Sequence, residues 1–234
     1  MNLTELRQHI EQYLETLPED DRQLLNVRLN SLASVFPFSE YEYILMFALD
    51  RGSITFVDYE DLRARYVSAN KYLDLFSLAP RIFGETWAQS HIMDLDPRFQ
   101  KPDKVFNSTY VGQYDLWIEG VRIEVKAARA IKTKVKGALA SKAIHFGEDD
   151  EFWMNFQQLK PDAADVFVFV GVWVDKIIYW VLNRDEVEDN PYLSHQHRGG
   201  IEFQIGVKQG NLEAFRAYQV EPCDLADIAV AKAE

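Results

Sequence analysis

The chain has 234 residues, of which 47% are hydrophobic, and its formal net charge is −12 at pH 7. This length and this hydrophobic content predict a folded domain with a full core and exclude an intrinsically disordered chain. The negative charge argues against a protein that coats nucleic acid through overall positive potential, but it leaves room for a local basic site. The single cysteine, Cys223, excludes an internal disulfide and a cysteine-based zinc site.

No segment of the sequence predicts a membrane protein. The longest apolar run, Val166 to Val174, has nine residues, which is too short to span a bilayer and suits a strand buried on both faces. The polar, acidic start, MNLTELRQHIEQYLETL, has the composition of neither a secretory signal nor a transit peptide. We therefore expect a soluble cytoplasmic protein.

The first part of the chain, from Leu3 to about Met93, carries apolar residues at helical spacing and predicts five or six helices. We expect a helical region over residues 1–80 that forms one compact unit with the remainder, residues 81–234. Within it, Tyr41 to Tyr66 predicts two helices joined by a short connection. Because the second helix has no basic face, two packed helices of a bundle are favoured over a DNA-reading helix-turn-helix.

From Tyr110 onward the periodicity changes to that of strands. The predicted strands are Tyr114–Ile118, Val121–Ala127, Asp165–Val174, Lys176–Leu182 and Ile201–Val207, and the predicted helices are Glu151–Leu159 and Pro222–Ala233. This order predicts an α/β fold preceded by the helical N-terminal region.

The segment YDLWIEGVRIEVK, Tyr114 to Lys126, predicts a hairpin that turns at Glu119-Gly120. A tight turn pairs Ile118 with Val121, Trp117 with Arg122, Leu116 with Ile123 and Asp115 with Glu124. Alternation then places Leu116, Ile118, Val121, Ile123 and Val125 on one face, and Asp115, Trp117, Arg122, Glu124 and Lys126 on the other.

The polar face of this hairpin predicts a metal site. Asp115 and Glu124 would lie opposite each other with their Cβ atoms about 5 Å apart, and Lys126 would lie two residues along the strand. Two carboxylates so close repel each other unless a cation lies between them, and hard oxygen ligands suit Mg²⁺. Beside the metal, Lys126 would orient or deprotonate the attacking water, or stabilise the pentavalent phosphate.

Asp115, followed on the next strand by Glu124-Val125-Lys126, resembles the signature of the PD-(D/E)xK nuclease superfamily. The resemblance extends as a pattern of elements from Arg81 to Val174. It implies Mg²⁺-dependent hydrolysis of DNA phosphodiesters, as in a type II restriction endonuclease, and a fold with a mixed sheet flanked by helices. Cutting both strands of a two-fold symmetric site is simplest for a homodimer, which we therefore expect.

Two further acids bear on this resemblance. Tyr114 stands where the family name has proline, and a literal Pro102-Asp103 upstream offers a rival first carboxylate. We prefer Asp115 because nothing in the sequence pairs Asp103 with Glu124. Glu85, in the predicted helix Arg81–Met93, is similar to the helix-borne acid that many members hold near the metal, although a surface glutamate is an equal alternative.

Two other segments predict DNA contacts. The acid-free stretch after Val125 contains Arg129, Lys132, Lys134, Lys136 and Lys142, which suit phosphate contacts, with a solvated basic loop as the alternative. In the segment His195-Gln196-His197-Arg198, Gln196 and Arg198 would donate to bases or phosphates, with a plain surface loop as the alternative. Gln157 and Gln158 lie where related enzymes often carry a polar helix face near the active centre, with a solvent-facing glutamine pair as the alternative.

The sequence therefore predicts a Mg²⁺-dependent endonuclease of double-stranded DNA with catalytic Asp115, Glu124, Lys126 and Glu85. Asp115 and Glu124 would be the metal ligands. A repair or recombination nuclease that recognises DNA structure and a noncatalytic DNA-binding protein on the same scaffold are the alternatives.

Overall fold

The computed structural model of the protein describes residues 11–31, 37–195 and 202–233. The chain divides into two compact units. The first comprises Met1–Ser77 and Lys136–Lys142, and the second comprises Leu78–Val135 and Ala143–Glu234. Within the described residues, no helix is both long and apolar enough to cross a membrane.

The first unit is helical, as the sequence predicts. Residues 11–16 are helical and are followed by α1 (Glu19–Ser31), α2 (Pro37–Asp50), α3 (Phe56–Ala69) and the 3₁₀ turns Leu73–Ser77 and Ala140–Lys142. Helix α3 begins at a capping box, in which Thr55 Oγ1 accepts from the Asp58 amide and Asp58 Oδ2 accepts from the Thr55 amide. This local signal explains why the chain re-enters a helix so soon after α2 ends.

Helices α2 and α3 pack against each other through aromatic side chains. The rings of Tyr41 and Tyr66 stack with their centroids 3.8 Å apart. The arginines of α3 are paired with carboxylates, Arg63 with Glu42 at 3.0 Å and Arg65 with Asp61 at 2.7 Å. Helix α3 therefore presents no basic face of the kind that binds phosphates.

The second unit begins with a helix over residues 80–95, which contains the π-helical turn Ile82–Trp87 and continues as α4 (Ala88–Leu95). Two sheets follow. The first has the strand order β1 (Leu116–Ile118), β2 (Val121–Arg129), β5 (Val166–Val172), β6 (Ile177–Asn183) and β9 (Gln219–Val220). Strands β2 and β5 run parallel and the other neighbours run antiparallel, so this sheet is mixed, as predicted.

The second sheet is antiparallel and has the order β3 (Ile131–Lys132), β4 (Phe152–Leu159), β8 (Phe203–Lys208) and β7 (Leu193–His195). The remaining helices are α5 (Arg184–Glu188) and α6 (Leu225–Ala231), with 3₁₀ turns at Pro161–Ala163, Leu212–Tyr218 and Pro222–Asp224. The predicted helix Pro222–Ala233 thus corresponds to one 3₁₀ turn followed by α6.

The predicted helix Glu151–Leu159 is wrong, because this segment forms strand β4. Phe152, Met154 and Phe156 are buried at alternate positions, which is the period of a strand packed on one side. The polar helix face proposed for Gln157 and Gln158 therefore does not exist. Both glutamines are exposed where the β4–β8 register shifts, and Gln158 takes a positive φ of 57°.

The core of the second unit lies between the two sheets. Phe156 of β4 stacks on Phe169 of β5 with ring centroids 4.6 Å apart. Every residue of β5 is buried, because this strand is covered on both faces. On β2, Glu124 is paired with Phe167 and Lys126 with Phe169. Since paired neighbours share a sheet face, the polar residues of β2 project toward the inter-sheet core.

Candidate active site

The hairpin that carries the site has the predicted register. Ile118 pairs with Val121, Trp117 with Arg122 and Leu116 with Ile123. The turn residues Glu119 and Gly120 both have positive φ, of 46° and 95°, as a tight two-residue turn requires. The predicted alternation is confirmed along β2, where buried residues alternate with half-buried ones up to Lys126.

Asp115 departs from the predicted pairing with Glu124. The regular ladder stops at Leu116, and the Asp115 amide donates to the Ile123 carbonyl at 2.9 Å instead of pairing with Glu124. The Asp115 side chain bonds to β2 in place of the backbone, because its Oδ2 accepts from the Val125 amide at 2.9 Å. A carboxylate thus satisfies a strand amide that the short β1 leaves without a backbone partner.

Glu124 and Lys126 form a buried pair. Lys126 Nζ lies 2.6 Å from Glu124 Oε1, and the two side chains are only 18% and 12% exposed. The pKa of Glu124 is raised to about 7, mainly by burial and to a smaller extent by the charge of Asp115, while Lys126 opposes both effects. The site therefore contains an acid whose ionised form lacks full compensation from the protein.

The pKa of Asp115 is also raised. Burial is the main cause, and it is opposed by the hydrogen bond from the Val125 amide and by the charges of Lys126 and Lys101. The structure thus brings Asp115, Glu124 and Lys126 together. The negative charge of Asp115 raises the pKa of Glu124, and that of Glu85 raises the pKa of Asp115.

Glu85 lies at the edge of this site. It forms an ion pair with Arg81, with Nε 2.7 Å from Oε2, and the side chains of Arg81 and Glu85 are 86% and 61% exposed. Its charge contributes to the raised pKa of Asp115 as the smallest of the causes. Glu85 is therefore near Asp115, but its carboxylate is engaged with a surface arginine one helical turn away.

The rival acid, Asp103, has a local structural role. Its Oδ1 accepts from the amides of Val105 at 2.7 Å and Phe106 at 3.0 Å, which closes a turn. No hydrogen bond or ion pair joins Asp103 to Glu124 within residues 11–31, 37–195 and 202–233. This geometry favours Asp115 as the first acid of the site.

Sequence reasoning missed two residues that contact the site. Gln89 Nε2 donates to Asp115 Oδ1 at 2.6 Å, and Lys101 Nζ donates to Gln89 Oε1. The signal for Gln89 was its position four residues after Glu85, on the same face of the predicted helix. Lys160, which follows β4, also acts on Glu124, because its charge lowers the pKa of that acid.

The structure divides the basic stretch into parts with different surroundings. Arg129 is half-buried, since Nη1 donates to the Leu78 carbonyl at 2.8 Å and its guanidinium lies over the Phe83 ring at 4.3 Å. Burial lowers its pKa. Lys132 is paired with Glu148 at 3.0 Å and with Asp150 at 2.6 Å. These two cations therefore contact protein groups.

The other members of the stretch are more accessible. Lys134 is exposed and pairs with Glu151 at 3.2 Å across the surface. Lys136 is exposed and Lys142 is half-buried. Both belong to the segment Lys136–Lys142, which is part of the first compact unit. Gln196 and Arg198, the other predicted DNA contacts, lie outside the described residues.

The carboxylates of Asp115 and Glu124 suit Mg²⁺ as two of its ligands. Among the residues that the structure describes, no group of three or more His, Cys, Asp or Glu side chains forms a complete metal site. Asp115 and Glu124 would supply two carboxylates, and Mg²⁺ commonly takes one or two from a protein and completes its shell with water and phosphate oxygens. A divalent cation would also compensate the charge that burial disfavours on Glu124.

No protein-family model matches this chain, and no curated protein or solved structure is significantly similar to it. The functional assignment therefore depends on the geometry of Asp115, Glu124 and Lys126 themselves.

Proposed function

We propose that the protein is a Mg²⁺-dependent endonuclease that hydrolyses phosphodiester bonds of double-stranded DNA, as a homodimeric type II restriction enzyme does. One observation carries the proposal. The largely buried carboxyl group of Glu124, whose pKa is about 7, contacts the Lys126 ammonium and is influenced by the charge of a second carboxyl group, Asp115. Strongly perturbed acids with a specific charged partner concentrate at functional sites.

The chemistry assigns a role to each side chain. Asp115 and Glu124 would hold the metal, which when bound polarises the phosphate and lowers the pKa of its bound water. The Asp115 carboxylate is held in place by donors from β2 and α4. Lys126, whose ammonium lies beside Glu124, would stabilise the negative charge that develops on the phosphate oxygens during attack by water.

The surroundings of the site support a reaction at a charged substrate. Lys101 and Lys160 lie close enough to act electrostatically on Asp115 and Glu124, respectively. Together with Lys126 they give the site three cations in a protein whose overall charge is −12. These three cations balance the acids Asp115, Glu124 and Glu85, so the site is close to neutral in an acidic protein, and a bound divalent cation would make it attractive to a phosphodiester.

The test is cleavage of a large bacteriophage genome, which offers many sequences at once. We expect discrete fragments with Mg²⁺ and intact DNA with EDTA. Asp115→Asn should be inactive, and Asp103→Asn, a matched removal of an acid that closes a nearby turn, should remain active. The reverse pattern would move the first metal ligand to Asp103.

The same assay separates the alternatives. Nicking, or cutting confined to branched DNA, would identify a repair or recombination nuclease. Absence of cleavage with Mg²⁺ and with Mn²⁺, on both linear and branched DNA, would contradict the proposal and support a noncatalytic DNA-binding protein.

A further inference from the structure

We propose that Gln89 is a positioning residue for Asp115, and that Lys101 helps to hold the Gln89 amide with Nε2 toward Asp115. This inference rests on the proposed metal-dependent function of the same site. It concerns two residues outside the Asp115–Glu124–Lys126 set, contributed by α4 and by the segment that follows it.

The contacts form a chain of three side chains. Gln89 is 7% exposed, and its Nε2 donates to Asp115 Oδ1 at 2.6 Å. Its Oε1 accepts from Lys101 Nζ. The second oxygen of Asp115, Oδ2, accepts from the Val125 amide at 2.9 Å. Each oxygen of Asp115 is therefore held by one donor, and the two donors come from different elements.

Asp115 and Lys101 together fix the orientation of this buried amide, because the carboxylate only accepts hydrogen bonds and the ammonium only donates them. The two ends of a glutamine amide are nearly equal in size, so shape alone does not fix which end faces Asp115. A lysine ammonium only donates hydrogen bonds, so Gln89 Oε1 must face Lys101 and Nε2 must face the carboxylate. A flipped amide would set oxygen against oxygen and nitrogen against ammonium in a site where unsatisfied polar groups are costly.

The consequence for the metal site is a fixed carboxylate. With one hydrogen bond on each oxygen, Asp115 cannot rotate freely, and one lone pair on each oxygen remains for a cation. Outer-shell partners of this kind typically contribute 10- to 100-fold to metal affinity. Gln89 and Glu85 lie on the same helix but have different surroundings. Gln89 is buried, whereas Glu85 is exposed and paired with Arg81.

The experiment measures metal binding without DNA and without turnover. Tb³⁺, whose luminescence is sensitised by nearby tyrosine and tryptophan, is titrated into the parent, Gln89→Met, Lys101→Met and the double variant. Met keeps the length and volume of Gln and removes its hydrogen bonds, so folding, checked by thermal unfolding, is preserved as far as possible. Lys104→Met is the matched control, because Lys104 is an exposed lysine of the same segment.

We expect Gln89→Met to weaken Tb³⁺ binding about 10- to 100-fold, and Lys101→Met to weaken it by less, in the same direction. The double variant should bind no more weakly than Gln89→Met alone, because Lys101 then has no amide to orient and the loss of its positive charge near Asp115 does not weaken cation binding. In single-turnover cleavage, the Mg²⁺ concentration for half-maximal rate should rise while the rate at saturating Mg²⁺ changes little. Lys104→Met should match the parent.

Three outcomes would overturn the inference. If Gln89→Met folds and binds Tb³⁺ as the parent does, Gln89 does not position the metal ligand. If the losses from Gln89→Met and Lys101→Met simply add, Lys101 acts independently of the amide. A parent that neither binds Tb³⁺ nor cleaves DNA would overturn the proposed function itself, and the positioning role with it.

Discussion

Two acid–base pairs use side chains on the same face of β2, Arg122 with Asp165 and Lys126 with Glu124. They differ in how far the protein stabilises the ionised form of the acid. Arg122 and Asp165 are bidentate and about 30% exposed, and the Arg122 amide also donates to Asp165 Oδ2 at 2.9 Å. Burial raises the pKa of Asp165, but the hydrogen bonds from Arg122 lower it more, so the net shift is downward. Glu124, beside Lys126, shifts in the opposite direction.

This difference separates a structural ion pair, Arg122–Asp165, from the pair that we propose to be functional, Glu124–Lys126, whose acid lacks full compensation. Asp165 receives hydrogen bonds from both the side chain and the backbone of Arg122, and its ionised form is stabilised by the fold. Glu124 receives a single close ammonium, and its ionised form remains costly until a further cation arrives. Strand β2 therefore contributes to one pair that stabilises the protein, Arg122–Asp165, and to one, Glu124–Lys126, that we propose binds a ligand.

The largest expected effect is on cleavage. Glu124→Gln should reduce single-turnover cleavage more than about 1,000-fold, because a neutral amide is a poor Mg²⁺ ligand. Asp165→Asn, the matched change in the structural pair, should leave the cleavage rate nearly unchanged and lower the free energy of unfolding by about 1–2 kcal/mol. Equal loss of activity in both variants, at equal stability, would remove the distinction between the two pairs.

The next effect separates catalysis from binding at Lys126. Lys126→Met should lose about 100- to 1,000-fold in cleavage rate, since a charge near the reacting phosphate is removed. DNA affinity measured with Ca²⁺, which often supports binding without efficient turnover, should stay close to that of the parent. Normal single-turnover cutting at saturating enzyme would exclude Lys126 from the catalytic residues.

The third effect concerns stability against pH in the absence of metal. Because the folded-state pKa of Glu124 is about 7, above the value near 4.5 expected when unfolded, its contribution is fully present below pH 4.5 and is lost as the pH rises to 7. The loss should be on the order of 3 kcal/mol. Glu124→Gln should remove this slope in chemical denaturation between pH 4.5 and 7.

Asp165 should give the opposite slope. Its lowered folded-state pKa means that its contribution is present above pH 3.8 and is lost as the pH falls through the folded-state value. Asp165→Asn should therefore flatten the acid limb of the stability curve and leave the region between pH 4.5 and 7 unchanged. A parent curve without any decline between pH 4.5 and 7 would contradict the raised pKa of Glu124.

The smallest expected effect concerns the basic stretch. Lys134→Gln combined with Lys136→Gln should reduce the salt dependence of DNA affinity by roughly one unit of slope for each phosphate contact removed. Lys132→Gln should alter the slope less, because Lys132 is already paired with Glu148 and Asp150. An unchanged slope in the Lys134/Lys136 variant would show that these lysines do not contact phosphate.

The hairpin was predictable because all of its signals are local. Alternating side chains from Leu116 to Lys126 and a turn with a glycine determine both register and faces without knowledge of the rest of the chain. The position of Asp115 was less predictable. Whether the ladder continues to Asp115 depends on a side chain competing for the Val125 amide, which alternation does not encode.

The prediction of a helix for the segment Phe152–Leu159 was wrong for the opposite reason, because a distant strand decides its structure. Phe152, Met154 and Phe156 alternate with the period of a strand, but the partner strand β8 begins only at Phe203, and Gln157 and Gln158 suggested a polar helix face. Gln89 and Lys101 likewise meet Asp115 only through tertiary packing. The basic stretch appeared unopposed because its acidic partner Glu148 lies just beyond it.

The most direct test of the central claim is the location of a bound metal. Crystals soaked with Mn²⁺, which replaces Mg²⁺ and scatters anomalously, should show one peak or two within coordination distance of Asp115 and Glu124, about 2.0–2.3 Å from their carboxylate oxygens. Crystals of Glu124→Gln should lose the peak, and crystals of Asp165→Asn should keep it. A well-ordered site without a peak, or a peak at Asp103 instead, would contradict the assignment of Asp115 and Glu124 as the metal ligands.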